Sequence, residues 1–203
     1  MSANIWEVFL KALFVLCLAT MMNVSIITHS DMSFKTAIEG SKAPQEVLDS
    51  MVLLNVEYYN FENQLCKGQI VVNKVLQQDV EDAFKLIKKI KFPIEKVIPI
   101  VKYNWSDDAS MEDNNTSAFN YRFVANTTRL SNHSWGRAID FNPFQNPAIY
   151  KGGSISPKNA KYNTNTRGTL GGDHEIVKFF KSRGWNWGGD WKSLKDYQHF
   201  DKN

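Results

Sequence analysis

The pattern of apolar and polar positions predicts that strands and helices follow one another from about residue 43 onward. Residues 52–59 are rich in β-branched and aromatic side chains, which predicts a strand, and "APQEVLDS" before them predicts a short helix. Residues 68–73, "GQIVVN", predict a second strand. Residues 73–92 place apolar side chains at helical intervals, with acids early and lysines late. This segment therefore predicts an amphipathic helix.

The segments that follow this helix have a weaker periodicity. Pro93 is expected to end the helix, and "EKVIPIVKYN" at residues 95–104 predicts a strand. Residues 105–117 are polar and follow neither period, so we expect a loop there. Residues 145–172 are rich in glycine and also predict a loop. The two loops flank the segment that carries the candidate chemistry.

A last helix is predicted for "DHEIVKFFKSRG", residues 173–184. Asp173 is the expected N-cap of this helix, and Gly184 is the expected residue at its C-terminal end. The chain then finishes in an aromatic stretch that contains the strand-like sequence "DYQHF".

The first thirty residues differ from the rest, because residues 12–22 form an apolar run preceded by Lys11. Such a run is typical of the hydrophobic region of a secretory signal. Glu7 and the lack of a clean A-x-A site leave two alternatives open, an uncleaved membrane anchor and a buried N-terminal helix. We predict a signal peptide or anchor with possible membrane contact over residues 1–30, and a single domain over residues 31–203. The expected location is the periplasm, the cell envelope or the membrane.

Composition narrows the class of protein. The chain has 203 residues, of which 43% are hydrophobic, enough for one domain with a real core and too many for a disordered chain. The net charge of +3 is spread along the chain without a basic block, so no nucleic-acid partner is expected. Cys17 lies in the apolar run, which leaves Cys66 alone after cleavage. Stability is therefore expected from packing rather than from a disulfide.

Residues 131–143, "SNHSWGRAIDFNP", carry the first candidate chemistry. His133 and Asp140 are seven residues apart, and Gly136 interrupts the segment between them. A turn at Gly136 followed by a strand would point Ile139 into the core and Asp140 back toward His133. The pair offers an imidazole and a carboxylate, although such a pair also occurs for purely structural reasons.

The C-terminal stretch adds a second histidine and a second carboxylate. Together, His133, Asp140 and His199 make the three-ligand set of a catalytic zinc, with the fourth position left to water. Asp196 is the candidate for the general base that takes a proton from that water. Asp196 lies three positions before His199, and in an extended strand this spacing would put the two side chains on opposite faces. The role of Asp196 as a base therefore requires a kink near residues 197–198.

These motifs resemble those of the zinc D-alanyl-D-alanine carboxypeptidases of the VanY type. "SNHSWGRAID" is similar to the family pattern S-x-H-x-x-G-x-A-x-D, and "WGGDWKSLKDYQHF" is similar to its closing D-x-x-H motif. The similarity extends over about residues 50–201, and the superfamily also contains phage L-alanyl-D-glutamate endolysins and the hedgehog signalling domain. It implies an α+β fold, in which helices pack on a small antiparallel sheet, and a monomeric domain of the hedgehog/DD-peptidase type.

The resemblance also implies a role for each motif residue. Arg122 matches the arginine that holds the substrate carbonyl or stabilises the oxyanion. Ser131 matches the motif serine, which positions substrate or a ligand. Asp196 matches the general base. The residues that match the zinc ligands are His133, Asp140 and His199.

The implied substrate is a peptidoglycan stem peptide, and the implied reaction is removal of the terminal D-alanine from a D-Ala-D-Ala end. Cleavage between L-Ala and D-Glu is an alternative that the sequence does not separate from it. A zinc-bearing binding module is a third hypothesis, because hedgehog uses this fold without evident peptidase activity; the intact Asp196 argues against it. His174 follows the expected N-cap Asp173 and is expected to be a surface or capping residue rather than a fourth metal ligand. Three further residues are candidates to line the cleft: Trp187, Asp190 and Trp191.

Overall fold

A computed structural model describes residues 25–125 and 127–203. The apolar run at residues 12–22, on which the prediction of a signal or anchor rests, lies outside the described residues. Within the described ranges, none of the helices is both long and apolar enough to cross a membrane.

A long antiparallel hairpin forms the first sheet. Strand β1 spans Ile27–Thr28, β2 spans Met51–Tyr59 and β3 spans Leu65–Asn73, in the order β1-β3-β2. The pairing of β2 with β3 confirms both predicted strands, and its register runs from Met51 opposite Asn73 to Tyr59 opposite Leu65. Strand β1 pairs with β3 in parallel, upstream of the predicted domain boundary at residue 31.

Helices pack around this hairpin. Helix α1 spans Phe34–Ala37, and α2 spans Gln45–Asp49 as predicted. Helix α3 spans Gln77–Lys89, after a 3₁₀ turn at Lys74–Leu76, and confirms the predicted amphipathic helix. Its buried face against β2 consists of Val80, Ala83, Phe84 and Ile87.

The predictions for residues 95–117 were partly wrong. Within the predicted strand at residues 95–104, the structure has only the two-residue strand β4, Lys96–Val97, because a 3₁₀ helix with Pro99 as its N-cap follows at Ile100–Tyr103. The expected loop contains helix α4, Asp107–Glu112, and strand β5, Asn115–Thr116, which pairs in parallel with β4. The Ser106 hydroxyl caps α4 by accepting from the Ala109 amide, a cue that a search for periodicity misses in so short a helix.

Two small antiparallel sheets build the second half. Strands β6 (Ala138–Asp140), β9 (Asn186–Trp187) and β11 (His199–Asp201) form one in the order β6-β11-β9. Strands β7 (Ala148–Tyr150), β8 (Ile155–Ser156) and β10 (Leu194–Asp196) form the other in the order β10-β7-β8. Strands β7 and β8 lie inside the segment predicted as a loop, residues 145–172, which is otherwise irregular.

Helix α5, Glu175–Ser182, confirms the last predicted helix but not its cap. His174, not Asp173, is the N-cap, since His174 Nδ1 accepts from the Ile176 amide at 3.2 Å. Asp173 is exposed to solvent and lies 3.8 Å from Lys178. Gly184 follows the last turn with φ of +80°, a conformation that suits glycine at a helix C-terminus.

The mixed α and β architecture, with small sheets and packed helices, agrees with the predicted α+β class. The described residues form four small sheets, and the β1–β3 and β4–β5 pairings are parallel. One apolar core joins the two halves of the chain. Tyr58 and Phe84 from the first half pack in the same cluster as Ile139, Phe180 and Phe200 from the second. The core therefore fixes β6 and β11 against the hairpin.

Candidate metal and catalytic site

Strands β6 and β11 bring two of the predicted ligands side by side. His199 lies directly opposite Asp140, and Phe200 lies opposite Ile139. Ile139 and Phe200 are fully buried in the core. Because successive side chains of a strand point to opposite faces, Asp140 and His199 share the other face, away from the core.

His133 reaches the same face through the predicted turn. It lies in a 3₁₀ helix at Asn132–Trp135, which ends at Gly136 with φ of +61°. A Cβ on Gly136 would collide with the Met51 sulfur and with the Asn73 amide, so both the backbone conformation and the close packing require glycine there. The turn directs His133 toward Asp140, as the sequence predicted.

The three predicted ligands form one buried cluster. His133 Nε2 lies 3.0 Å from Asp140 Oδ2, and His199 Nδ1 lies 2.9 Å from Asp140 Oδ1. One ligand atom from each residue lies within 4.8 Å of the others. Side chains separated by up to 66 residues in sequence are therefore close enough to hold one metal ion together.

Hydrogen bonds fix which nitrogen of each imidazole faces the cluster. His133 Nδ1–H donates to the Ala118 carbonyl, which leaves Nε2 directed at Asp140. His199 Nε2–H donates to Asp201 Oδ2 at 3.3 Å, which leaves Nδ1 directed at Asp140. A second partner that orients the ring and raises its basicity is typical of histidines that bind metal.

Asp201 is a site residue that the sequence reasoning missed. It lies two residues after His199 on β11, and this spacing puts both side chains on one face of the strand. Its carboxylate also accepts from Asn186 Nδ2 at 2.9 Å and from Asn132 Nδ2 at 3.0 Å. Alternation along a predicted strand would have been sufficient to propose Asp201 as the partner of His199.

The electrostatics of the cluster favour a cation. Burial acts to raise the pKa of Asp140, but the adjacent His133 and His199 rings lower it well below its usual range. Burial acts to lower the pKa of His199, but hydrogen bonds to Asp140 and Asp201 raise it to about 10. A buried carboxylate flanked by two imidazoles is a donor set that zinc accepts, so the residues present fit this metal.

Asp196 enters the site because the chain bends after it. Strand β10 ends at Asp196 and β11 begins at His199, with residues 197 and 198 between the two strands. This bend confirms the predicted kink. Asp196 Oδ1 is buried and has no hydrogen-bond partner among the described residues, and burial raises the pKa of this carboxyl to about 6. A carboxylate of this kind is suited to accepting a proton near neutral pH.

Arg122 is held at the other side of the site by an ion pair. Its Nη2 lies 2.8 Å from Asp107 Oδ2, while its buried Nε has no partner among the described residues. Ser134 Oγ fixes the backbone by donating to the Arg122 carbonyl and accepting from the Arg122 amide. Sequence reasoning missed Asp107, because it treated residues 105–117 as a loop, and it did not consider Ser134.

Ser131 is hydrogen-bonded to the turn that carries the candidate ligand His133. Its hydroxyl accepts from the His133 amide at 3.3 Å, and its own amide donates to the Arg122 carbonyl at 3.0 Å. The motif serine therefore links the backbone of Arg122 to the turn that carries His133.

A cleft of about 490 Å³ opens over these residues. Of the other candidates for its lining, Trp191 borders it, with its ring centroid 5.2 Å from that of His199. Asp190 instead forms an ion pair with Lys181, and Trp187 is buried behind the cleft. His174 caps α5 and contacts Phe92, so it is not part of the cluster. The residues of the predicted site that line the cleft are Arg122, Ser131, His133, Asp140, Asp196 and His199.

Comparison with known proteins agrees with this site. Residues 125–202 match the sequence profile of a family described as D-alanyl-D-alanine carboxypeptidase. This range contains both ligand motifs and Asp196, while Arg122 lies just upstream of it. The match confirms the resemblance to the VanY-type zinc peptidase family over this part of the chain.

A curated relative is the peptidoglycan L-alanyl-D-glutamate endopeptidase CwlK of Bacillus subtilis (strain 168). It is 37% identical over 71 residues, which cover 35% of this chain and 38% of the relative. The similarity therefore spans well under half the length of either protein. No solved structure matches the chain significantly.

Proposed function

We propose that this protein is a zinc-dependent peptidase that hydrolyses peptidoglycan stem peptides, releasing the terminal D-alanine from a D-Ala-D-Ala end. One observation carries the proposal. The donor atoms of His133, Asp140 and His199 lie within 4.8 Å of one another, and the carboxylate of Asp196 borders the same cleft. A ligand set beside a separate carboxylate is what metal-assisted hydrolysis requires.

Each residue has a chemical task in this reaction. His133, Asp140 and His199 would hold the zinc, which when bound supplies a Lewis acid and acidifies a coordinated water. Asp196 accepts the proton of the water that attacks the scissile carbonyl, then passes it to the amine that leaves. The Arg122 guanidinium faces the cleft and stabilises the negative charge that develops on the carbonyl oxygen. Asp107 keeps that guanidinium in place.

The cations of the cleft support the carboxypeptidase reaction. An enzyme that cleaves at a free C-terminus needs a positive group for the terminal carboxylate in addition to one for the scissile carbonyl. Arg129 also borders the cleft, and within residues 25–125 and 127–203 it forms no ion pair. It is therefore available to a substrate carboxylate, whereas Arg122 is paired with Asp107.

Cleavage between L-Ala and D-Glu is the second candidate, and it is supported by the similarity to the Bacillus subtilis L-alanyl-D-glutamate endopeptidase. A D-Glu residue also carries a carboxylate that Arg129 could bind.

We further propose that the protein is exported and monomeric and has a hedgehog/DD-peptidase type of fold. Export is supported by the apolar run at residues 12–22 and by the location of peptidoglycan outside the cytoplasm.

Digestion of purified peptidoglycan, with and without a chelator, tests the proposal. Mass analysis of the products should detect free D-alanine, formed only in the absence of chelator. New N-termini at D-Glu would instead assign the endopeptidase reaction. If zinc-loaded protein releases neither product, the enzyme proposal fails and the zinc-bearing binding module is favoured.

A further inference from the structure

The bend between Asp196 and His199 is held by contacts from three separate segments. The Trp187 indole Nε1–H donates to the Tyr197 carbonyl at 2.9 Å. The Tyr197 amide donates to the Pro147 carbonyl at 3.3 Å, and the Phe141 amide donates to the Gln198 carbonyl at 3.1 Å. Three of the backbone polar groups of this two-residue bend are thus paired with fixed partners.

Gly188 packs directly against the backbone of Asp196. A Cβ at Gly188 would lie 2.9 Å from Asp196 Cβ, and it would be closer still to the Asp196 carbonyl oxygen. Both distances are shorter than van der Waals contact, so only glycine permits this approach. The 3₁₀ turn at Gly188–Asp190 therefore packs against the backbone of Asp196, the proposed base.

The aromatic ring of Tyr197 is held by a separate stacking contact. Tyr162 stacks on it with a centroid separation of 3.5 Å and an interplanar angle of 7°. The Tyr162 hydroxyl donates to the Leu170 carbonyl at 2.8 Å, which anchors the stack to the glycine-rich segment. The bend is therefore fixed on its ring as well as on its backbone.

We propose that Trp187 and Gly188 are positioning residues for the general base, which set the direction of the Asp196 carboxylate relative to the metal ligands. The inference rests on the proposed function, since it assigns a purpose to Asp196. Its physical basis is that the bend sets how β10, which carries this carboxylate, lies relative to β11, which carries His199. Displacement of a reacting group by about 1 Å can lower a rate by about 100-fold. The close contact between Gly188 and the backbone of Asp196 limits such a displacement.

The test measures kcat and KM for zinc-loaded Gly188→Ala and Trp187→Phe on whichever stem peptide the wild type hydrolyses. Trp187→Phe removes the indole N–H while retaining an aromatic ring. We expect each variant to lose about 10-fold or more in kcat with KM little changed. Zinc content, and the visible spectrum of the cobalt-substituted protein, should match those of the wild type, because the ligands are untouched. Gly152→Ala is the matched control, since no atom lies within 4 Å of its added Cβ.

A double-mutant cycle with Asp196→Asn separates positioning from general support of the fold. If Gly188 and Trp187 act through Asp196, neither change should lower kcat further in the Asp196→Asn background. Multiplicative losses would overturn the inference, as would wild-type kcat in both single variants or a loss of zinc. If Gly188→Ala does not fold, the cycle on Trp187→Phe decides. A wild type that hydrolyses no stem peptide overturns the proposed function and this inference together, whereas an active wild type with unaffected variants overturns the inference alone.

Discussion

His199 and Asp201 lie on the same face of β11, with His199 Nε2 3.3 Å from Asp201 Oδ2. This contact orients the imidazole so that its other nitrogen faces Asp140 at 2.9 Å. Asp201 is in turn held by two asparagine amides, from Asn132 and Asn186. The candidate metal site is therefore supported by further polar contacts through Asp201, which lies two residues after His199.

Asp201→Asn should weaken zinc binding by about 10- to 100-fold, the usual effect of losing a carboxylate partner of a metal-bound histidine. The side chain keeps its size but no longer offers a charged acceptor to His199. Competition with a chromophoric chelator measures the affinity. Asp190→Asn is the matched control, because Asp190 pairs with Lys181 outside the cluster. Equal affinities for the two variants would rule out this role for Asp201.

Alanine at His133, Asp140 or His199 should abolish stoichiometric zinc binding. The wild type is expected to hold about one zinc per chain, since the described residues contain one such cluster. Metal analysis of the purified variants checks this. His174→Ala should retain the zinc, because His174 caps α5. Full occupancy in His199→Ala would remove His199 from the ligand set.

Asp196→Asn should retain zinc and lose about 100-fold or more in kcat, the scale expected for a general base. The variant keeps the shape of the side chain but cannot accept the proton. Steady-state kinetics together with metal analysis measure both effects. Loss of zinc would instead make Asp196 a ligand, and near-normal turnover would place the base elsewhere. Asp190, the alternative base considered from the sequence, is paired with Lys181 and does not border the cleft.

Arg122→Lys should lower kcat by about 100-fold, because a lysine keeps the charge but lacks the planar fork that can bind Asp107 and an oxyanion together. Asp107→Asn should produce a smaller loss in the same direction by releasing the guanidinium. Kinetics on a synthetic stem peptide measure both variants. Arg167→Lys serves as the control, since Arg167 is exposed and bonds to the Phe61 carbonyl. Unchanged turnover in Arg122→Lys would contradict an electrostatic role that depends on the fork.

Asp79 should make stability depend on pH. Burial acts to raise the pKa of this carboxyl, but hydrogen bonds from Trp185, Lys202 and Arg183 lower it below its ordinary value of 3.8. Because the folded-state pKa is lower than the unfolded one, the ionised carboxylate stabilises the fold above pH 3.8, and this stabilisation is lost as the pH falls through the folded-state pKa.

Asp79→Asn should therefore cost about 1 to 3 kcal/mol in the free energy of unfolding at pH 7. The difference from the wild type should shrink as the pH falls below 3.8. Urea unfolding of the metal-free proteins across this range measures it. Asp173→Asn is the control, because Asp173 is fully exposed. A difference that stays constant with pH would show that the charge of Asp79 does not contribute.

The sequence by itself determined the longer local elements and the identity of the candidate ligands. The period of residues 77–89 marks the buried face of α3, and the β-branched and aromatic residues of β2 and the apolar residues of β3 mark their strands, because these signals depend only on neighbouring residues. Gly136 predicted the turn that directs His133 toward Asp140, since glycine favours a positive φ.

Only the tertiary structure decided how these parts meet. The direction of Asp196 depends on a bend braced by Trp187 and Gly188, and Arg122 depends on Asp107 from a helix that shows no clear period. Asp140 and His199 share a face because the pairing of β6 with β11 places them directly opposite each other. These contacts join segments that are separated along the chain. Their formation depends on strand register and core packing, which short-range patterns of hydrophobicity do not encode.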